Sequence, residues 1–94
     1  MKEQEEIFNK LKELIGEVIG KEFVEEYNIT MDSVLTSDLE MESIEIVELS
    51  EKIKKVYGEQ IGIIEWMSKM SLEGLVDLSI GDIVNFLEKC KQLS

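Results

Sequence analysis

The chain has no histidine, no proline and a single cysteine, Cys90, and its ten basic residues are all lysines. Each absence narrows what the protein can do. Ten lysines against 21 acids give a net charge of −11. Phosphate-backbone binding needs clustered Lys and Arg, so the composition argues against a nucleic-acid partner. With no histidine, a serine or cysteine nucleophile lacks its usual base, and no His/Cys set is present to hold a metal. One cysteine cannot form an internal disulfide and suits a reducing compartment. A lone thiol with no histidine near it in sequence reads as inert. No apolar run approaches the roughly 18 residues of a membrane span. Met1-Lys2-Glu3-Gln4-Glu5-Glu6 lacks the charged-then-apolar order of a signal peptide. These features together predict a cytoplasmic protein. Without proline, nothing forbids helix anywhere in the chain on that account.

What is present is helical periodicity. At 94 residues, 44% of them hydrophobic, the chain is read as one domain, 1–94, with one packed core. A chain of this length buries about 60–65% of its unfolded surface, so stability should be modest. Ile7, Leu11, Leu14, Ile15 and Val18 predict a helix over about 2–19, stopped at Gly20. Residues 23–36 are predicted as a long connection anchored by Phe23, Tyr27, Ile29, Val34 and Leu35, with at most a turn of helix. A second major helix is predicted from Ser43 to Tyr57, ending before Gly58. Its core stripe is Ile46, Leu49, Ile53 and Tyr57, with Ser50 inside it. Ile44, Val47, Glu48 and Glu51 lie roughly opposite. Ile63, Trp66, Met67, Met70, Leu72, Leu75 and Val76 predict one or two short helices. The last helix should run from near Ser79 to about Lys89, opened by a Ser79–Asp82 capping box and buried through Ile80, Ile83, Val84 and Leu87.

The most informative stretch is Asp38-Leu39-Glu40-Met41-Glu42-Ser43-Ile44-Glu45-Ile46-Val47-Glu48-Leu49. From Asp38 to Glu51 it holds six carboxylates in fourteen positions and no basic residue. Ser43 stands at a helix start, where free backbone N–H groups and the helix dipole favour a negative group such as a phosphate. It is badly placed as a nucleophile and well placed to be modified. The plainer reading is that Ser43 is only the helix N-cap. A calcium loop starting at Asp38 fails on chemistry. Its sixth position would be Ser43 where glycine is needed, and its twelfth Leu49 where a bidentate Glu is needed.

These residues carry a resemblance. Asp38-Leu39-x-Met41-Glu42-Ser43-Ile44 is similar to the Asp-Leu-Gly-x-Asp-Ser-Leu signature of acyl carrier proteins. Glu45-Ile46-Val47-Glu48-Leu49 resembles the family's acidic recognition helix, and 78–87 resembles its last helix, with Ser79-Ile80 for the family's Thr-Val opening. The likeness extends over essentially the whole chain. Glu40, Glu42 and Ile44 stand where the family has Gly, Asp and Leu, and the segment before Ser79 is several residues longer. Peptidyl carriers, a close relative, place Gly-Gly-x-Ser where this chain has Glu40-Met41-Glu42-Ser43.

The resemblance implies an all-α fold, a small four-helix bundle with a long loop between the first two major helices and an extended segment before the last. It implies that Ser43 is the attachment point of a 4′-phosphopantetheine arm derived from coenzyme A. Acyl groups of fatty-acid, specialised lipid or polyketide synthesis ride on that arm as thioesters, and the chain itself catalyses nothing. It implies that Glu42, Ile44, Glu45, Val47, Glu48 and Glu51 meet the basic surfaces of a phosphopantetheinyl transferase and of acyl-processing enzymes. The carrier is expected to be a monomer. Ile63, Trp66 and Met67 are expected to line a site for the acyl chain. For each, a plainer reading stands beside the functional one: a solvated acidic face, stray surface apolar residues, and ordinary core packing. An acidic helical interaction module without an arm, or an aminoacyl or peptidyl carrier, are the alternatives.

Overall fold

A stripe of apolar residues at helical spacing buries itself, and three such stripes build this molecule. The computed structural model describes residues 2–93. Among them are α1 (Lys2–Ile19), α2 (Lys21–Tyr27), α3 (Ser43–Tyr57), α4 (Ile63–Ser68), α5 (Leu72–Val76) and α6 (Ile80–Leu93), with a 3-10 turn at Glu59–Ile61 and no strand. Helix α1 lies against α6, α3 and α2, and α3 also carries α4. Ile7, Leu11, Leu14 and Ile15 of α1 meet Ile46, Leu49 and Ile53 of α3 and Ile80, Ile83, Val84 and Leu87 of α6 in one core. Burying each such side chain contributes roughly 1.5–3 kcal/mol. The all-α bundle is the predicted one, and α3 has the predicted bounds.

Three details differ from expectation. Gly20 does end α1, at φ +107°, but a second helix starts one residue later. The stretch read as the start of a long connection is therefore helical, and Phe23, read as an anchor, is 47% exposed. Helix α2 contains no buried residue, so it had no apolar stripe to announce it. The last helix runs on to Leu93 rather than ending near Lys89, because no glycine or proline interrupts it.

The loop between α2 and α3 has almost no regular structure, yet it is tightly held. Ile29, Leu35, Leu39 and Met41 are buried, so their backbone groups enter the core and need partners. The loop finds partners partly within itself and partly at the entry to α6. The Leu35 amide donates to the Leu78 carbonyl (3.0 Å), Ile80 to Ser33 (2.9 Å) and Gly81 to Met31 (2.7 Å). Val34 and Ser79 form an isolated antiparallel bridge, and the Thr36 hydroxyl donates to the Val76 carbonyl at 2.7 Å. The predicted cap of α6 forms alongside: the Ser79 amide donates to Asp82 Oδ2 and the Asp82 amide to Ser79 Oγ, both at 3.1 Å.

Gly81 permits the close approach. A Cβ there would sit 2.9 Å from the Met31 carbonyl oxygen. Gly81→Ala must push the loop off α6 and should lower unfolding free energy by about 1–3 kcal/mol. Gly16 is the contrasting case. A Cβ at this helical position meets side-chain atoms of Lys21 and Val24 at 3.5 and 3.6 Å and the Lys21 Cα at 3.8 Å, all ordinary contacts, so Gly16→Ala should raise stability by about 0.5–1 kcal/mol. Urea unfolding of the two variants decides. A Gly81→Ala protein as stable as the parent would mean that loop and α6 are not closely apposed.

Candidate functional site

The loop delivers the chain to α3 through a chain of local hydrogen bonds. The Val34 amide donates to Asp38 Oδ2 at 2.7 Å, and the Asp38 and Leu39 amides donate back to the Val34 carbonyl (2.9 and 3.2 Å). Asp38, the first acid of the motif, thus closes a turn. The Met41 amide then donates to the Leu35 carbonyl at 2.9 Å. Between the buried Leu39 and Met41, Glu40 is exposed, with φ +53°. Tyr27 Oη donates to Glu40 Oε2 at 2.8 Å. That hydrogen bond, followed by desolvation and by the charges of Glu40 and Glu26, raises the Tyr27 pKa above its ordinary value.

Helix α3 begins differently from the plain reading. Its N-cap is Glu42, in extended conformation, and Glu42 forms a capping box with Glu45. The Glu42 amide donates to Glu45 Oε1 at 2.9 Å. Ser43 is the first helical residue and not the cap. It is exposed, and no hydrogen bond to its hydroxyl is found among the described residues. The helix start is therefore stabilised without Ser43, and its hydroxyl faces solvent within the first turn, where the dipole favours a negative group.

The α3 face beyond Ser43 is acidic with apolar residues set into it. Glu42, Glu48 and Glu51 are exposed, with Ile44 74% and Val47 58% exposed among them. Glu45 is half-buried in the cap. The lysines that break the acidic run are partly neutralised. Lys52 Nζ lies 3.1 Å from Glu17 of α1, and Lys54 Nζ 3.9 Å from Glu59. Such surface pairs add little stability, but they do cancel local charge.

A cavity of about 260 Å³ opens beside Ser43, between α3 and the α4–α5 segment. Ser43, Ile46, Val47, Ser50, Glu51, Ile64, Met67, Ser68 and Leu75 line it. The buried Ser50 adds no unmet polarity, since its hydroxyl donates to the Val47 carbonyl at 2.7 Å. The three residues expected around an acyl chain part company. Met67 lines this cavity. Ile63 is fully buried in the core and does not. Trp66 stacks on Phe86, with ring centroids 4.3 Å apart and planes 13° from parallel. It lines a different groove, of about 400 Å³, with Met70, Leu78 and Asp82 among others. Residues two apart on a helix point away from one another. Ile64, Met67 and Ser68 share a face by their spacing, and Trp66 falls off it. The i, i+3, i+4 register of α4 carries that separation in the sequence. Among the described residues there is no group of His, Cys, Asp and Glu that could hold a metal.

No family model matches the chain. No solved structure gives a significant match. Among proteins of known name the likeness is extensive. The acyl carrier protein of Thermotoga maritima is 32% identical over 89 residues, covering 95% of this chain and 96% of the relative. That of Coprothermobacter proteolyticus is 30% identical over 76 residues, 81% of this chain and 89% of the relative. The meromycolate extension acyl carrier protein of Mycobacterium leprae is 30% identical over 89 residues, 95% of this chain and 68% of the relative. With alignments spanning nearly the whole chain, and an all-α bundle whose second major helix opens at the motif serine, this chain belongs to the acyl carrier protein family.

Proposed function

We propose that the chain, as a single carrier domain, bears a 4′-phosphopantetheine arm on Ser43 and carries acyl intermediates on it. The observation that carries this is the state of the Ser43 hydroxyl. It is exposed, bonded to nothing in the described chain and excluded from the cap by Glu42. The residues fit the group. A phosphodiester on Ser43 Oγ would lie in the first turn of a 15-residue helix, where backbone N–H groups and the dipole offset its charge. When bound, the arm supplies a thiol that holds the acyl group as an activated thioester. The chain supplies the rest. It keeps the attachment point in solvent and offers an apolar cavity beside it. It also presents Glu42, Glu48 and Glu51 with Ile44 and Val47 to enzymes whose surfaces are basic. Glu45 belongs to this face mainly through the cap it makes. Tethering raises the effective concentration of cargo at each enzyme it visits. We place this carrier in the cytoplasm, serving synthesis of fatty acids, specialised lipids or polyketides, with no catalysis of its own.

Incubation with coenzyme A and a phosphopantetheinyl transferase, followed by mass measurement, tests the assignment. The parent chain should gain one arm and Ser43→Ala none. Ser43 caps nothing, so the alanine variant should unfold within about 0.5 kcal/mol of the parent. An arm on the alanine variant would refute the site.

Reversing Glu48 and Glu51 to Lys should slow arm transfer about tenfold at low salt, mainly through association, and flatten its salt dependence. Glu45 is left intact so that the helix cap survives. Equal rates for the two proteins at low salt would reduce this face to plain solvated surface.

An acyl chain in the cavity beside Ser43 should leave Trp66 undisturbed, since Trp66 lines the other groove. Trp66 emission should match between the thiol form and a long-chain acyl form. A shifted spectrum would put the chain in the Trp66–Phe86 groove instead.

A further inference from the structure

Among the described residues, two other than glycine have positive φ, Asn28 and Glu40. Asn28 closes α2, a position and a residue type suited to the left-handed region. Glu40 has no such excuse. A glutamate gains no local hydrogen bond from that conformation, and its Cβ meets the backbone. Exposure means that packing of its own side chain does not hold it there. Its neighbours Leu39 and Met41 point inward, and the Met41 amide is tied to the Leu35 carbonyl at 2.9 Å. Among the described residues, the one side-chain hydrogen bond that Glu40 makes is with Tyr27, at 2.8 Å. Tyr27 sits at the end of α2 and stacks on Phe23, with centroids 6.1 Å apart. The bond therefore links a helix end to the loop three residues before Ser43.

We propose that the Tyr27–Glu40 hydrogen bond is a clasp that holds the 37–42 loop in the conformation presenting Ser43 for arm transfer. Tyr27 and Glu40 are then positioning residues, a role that rests on the reading of Ser43 as the attachment point. The physical logic is that a strained residue relaxes when nothing holds it. Rotation at Glu40 would turn the Met41 amide away from Leu35 and loosen the approach to the Glu42 cap. Only the closed fraction of molecules would then suit the transferase. Apparent affinity falls by that fraction, while turnover of the bound complex is unchanged. Glycine at position 40 adopts the same φ without strain, so it needs no clasp.

The test combines arm-transfer kinetics with backbone hydrogen exchange on the full chain and its variants. Tyr27→Phe and Glu40→Ala should each raise KM for the carrier about threefold with kcat unchanged. Both should speed exchange at the Met41 and Glu42 amides. Tyr27→Phe should add nothing in the Glu40→Ala background, as expected for two halves of one interaction. Glu40→Gly should return KM to near the parent value. Unchanged exchange and KM in Tyr27→Phe would overturn the clasp. So would a Glu40→Gly protein as impaired as Glu40→Ala, which would make Glu40 a direct contact to the enzyme. A parent chain that gains no arm sinks the reading of Ser43 and, with it, any role in arm transfer. A parent chain that gains the arm, with Tyr27→Phe indistinguishable from it, sinks the clasp alone.

Discussion

Much of this structure depends on the backbone pairing between the long loop and the entry to α6. A loop that buries Ile29, Leu35, Leu39 and Met41 has to take polar backbone into the core. Unpaired, each of those groups would cost about 1–3 kcal/mol. The carbonyl of Leu78 and the amides of Ile80 and Gly81 answer Leu35, Ser33 and Met31 of that loop, at 3.0, 2.9 and 2.7 Å. The same contact explains why position 81 carries no Cβ, why α6 opens at the Ser79–Asp82 cap, and why a loop with little regular structure is held. It also fixes where α3 starts. Leu35, bonded to Leu78 on one side, accepts from Met41 on the other, two residues before Ser43.

Charge is arranged as selectively as backbone. A net charge of −11 on a chain of this size costs some compactness through self-repulsion. Part of that charge has structural uses. Asp38 closes a turn, Glu42 with Glu45 caps α3, Asp82 caps α6, and Glu17 holds Lys52. Around Ser43, Glu48 and Glu51 are exposed together with the cap residue Glu42, and Ile44 and Val47 are exposed between them. Neither core packing nor helix stability requires those two apolar residues to face solvent. A basic partner surface with a shallow apolar centre is the complement they fit. This supports the carrier reading from an observation independent of the serine.

The three long helices were legible because each had a full apolar stripe and most of their ends carried recognised punctuation. Gly58 closes α3, and Ser79 with Asp82 opens α6. Helix α2 was not legible, since none of its seven residues is fully buried and only Val24 and Tyr27 pack part-way against the core. Leu39 and Met41 read as letters of a motif, yet both are core residues. The cap of α3 was hidden by chemistry. Serine and aspartate are the usual N-caps, so residue type favours Ser43, whereas Glu42 takes that place with Glu45 as its partner. Trp66 was grouped with Met67 because both lie in one apolar run. Only the register of α4 separates the face toward Ser43 from the face toward Phe86.

The central claim is that a loop locked to α6 holds Ser43 at a fixed helix start. Amide hydrogen exchange of the unmodified chain at Leu35, Ile80 and Gly81 addresses it directly. The account predicts protection close to that of the buried amides of α3 and α6, because opening any of these bonds requires the loop to leave the core. Exchange at these three amides near free-chain rates, with α3 and α6 still protected, would contradict it.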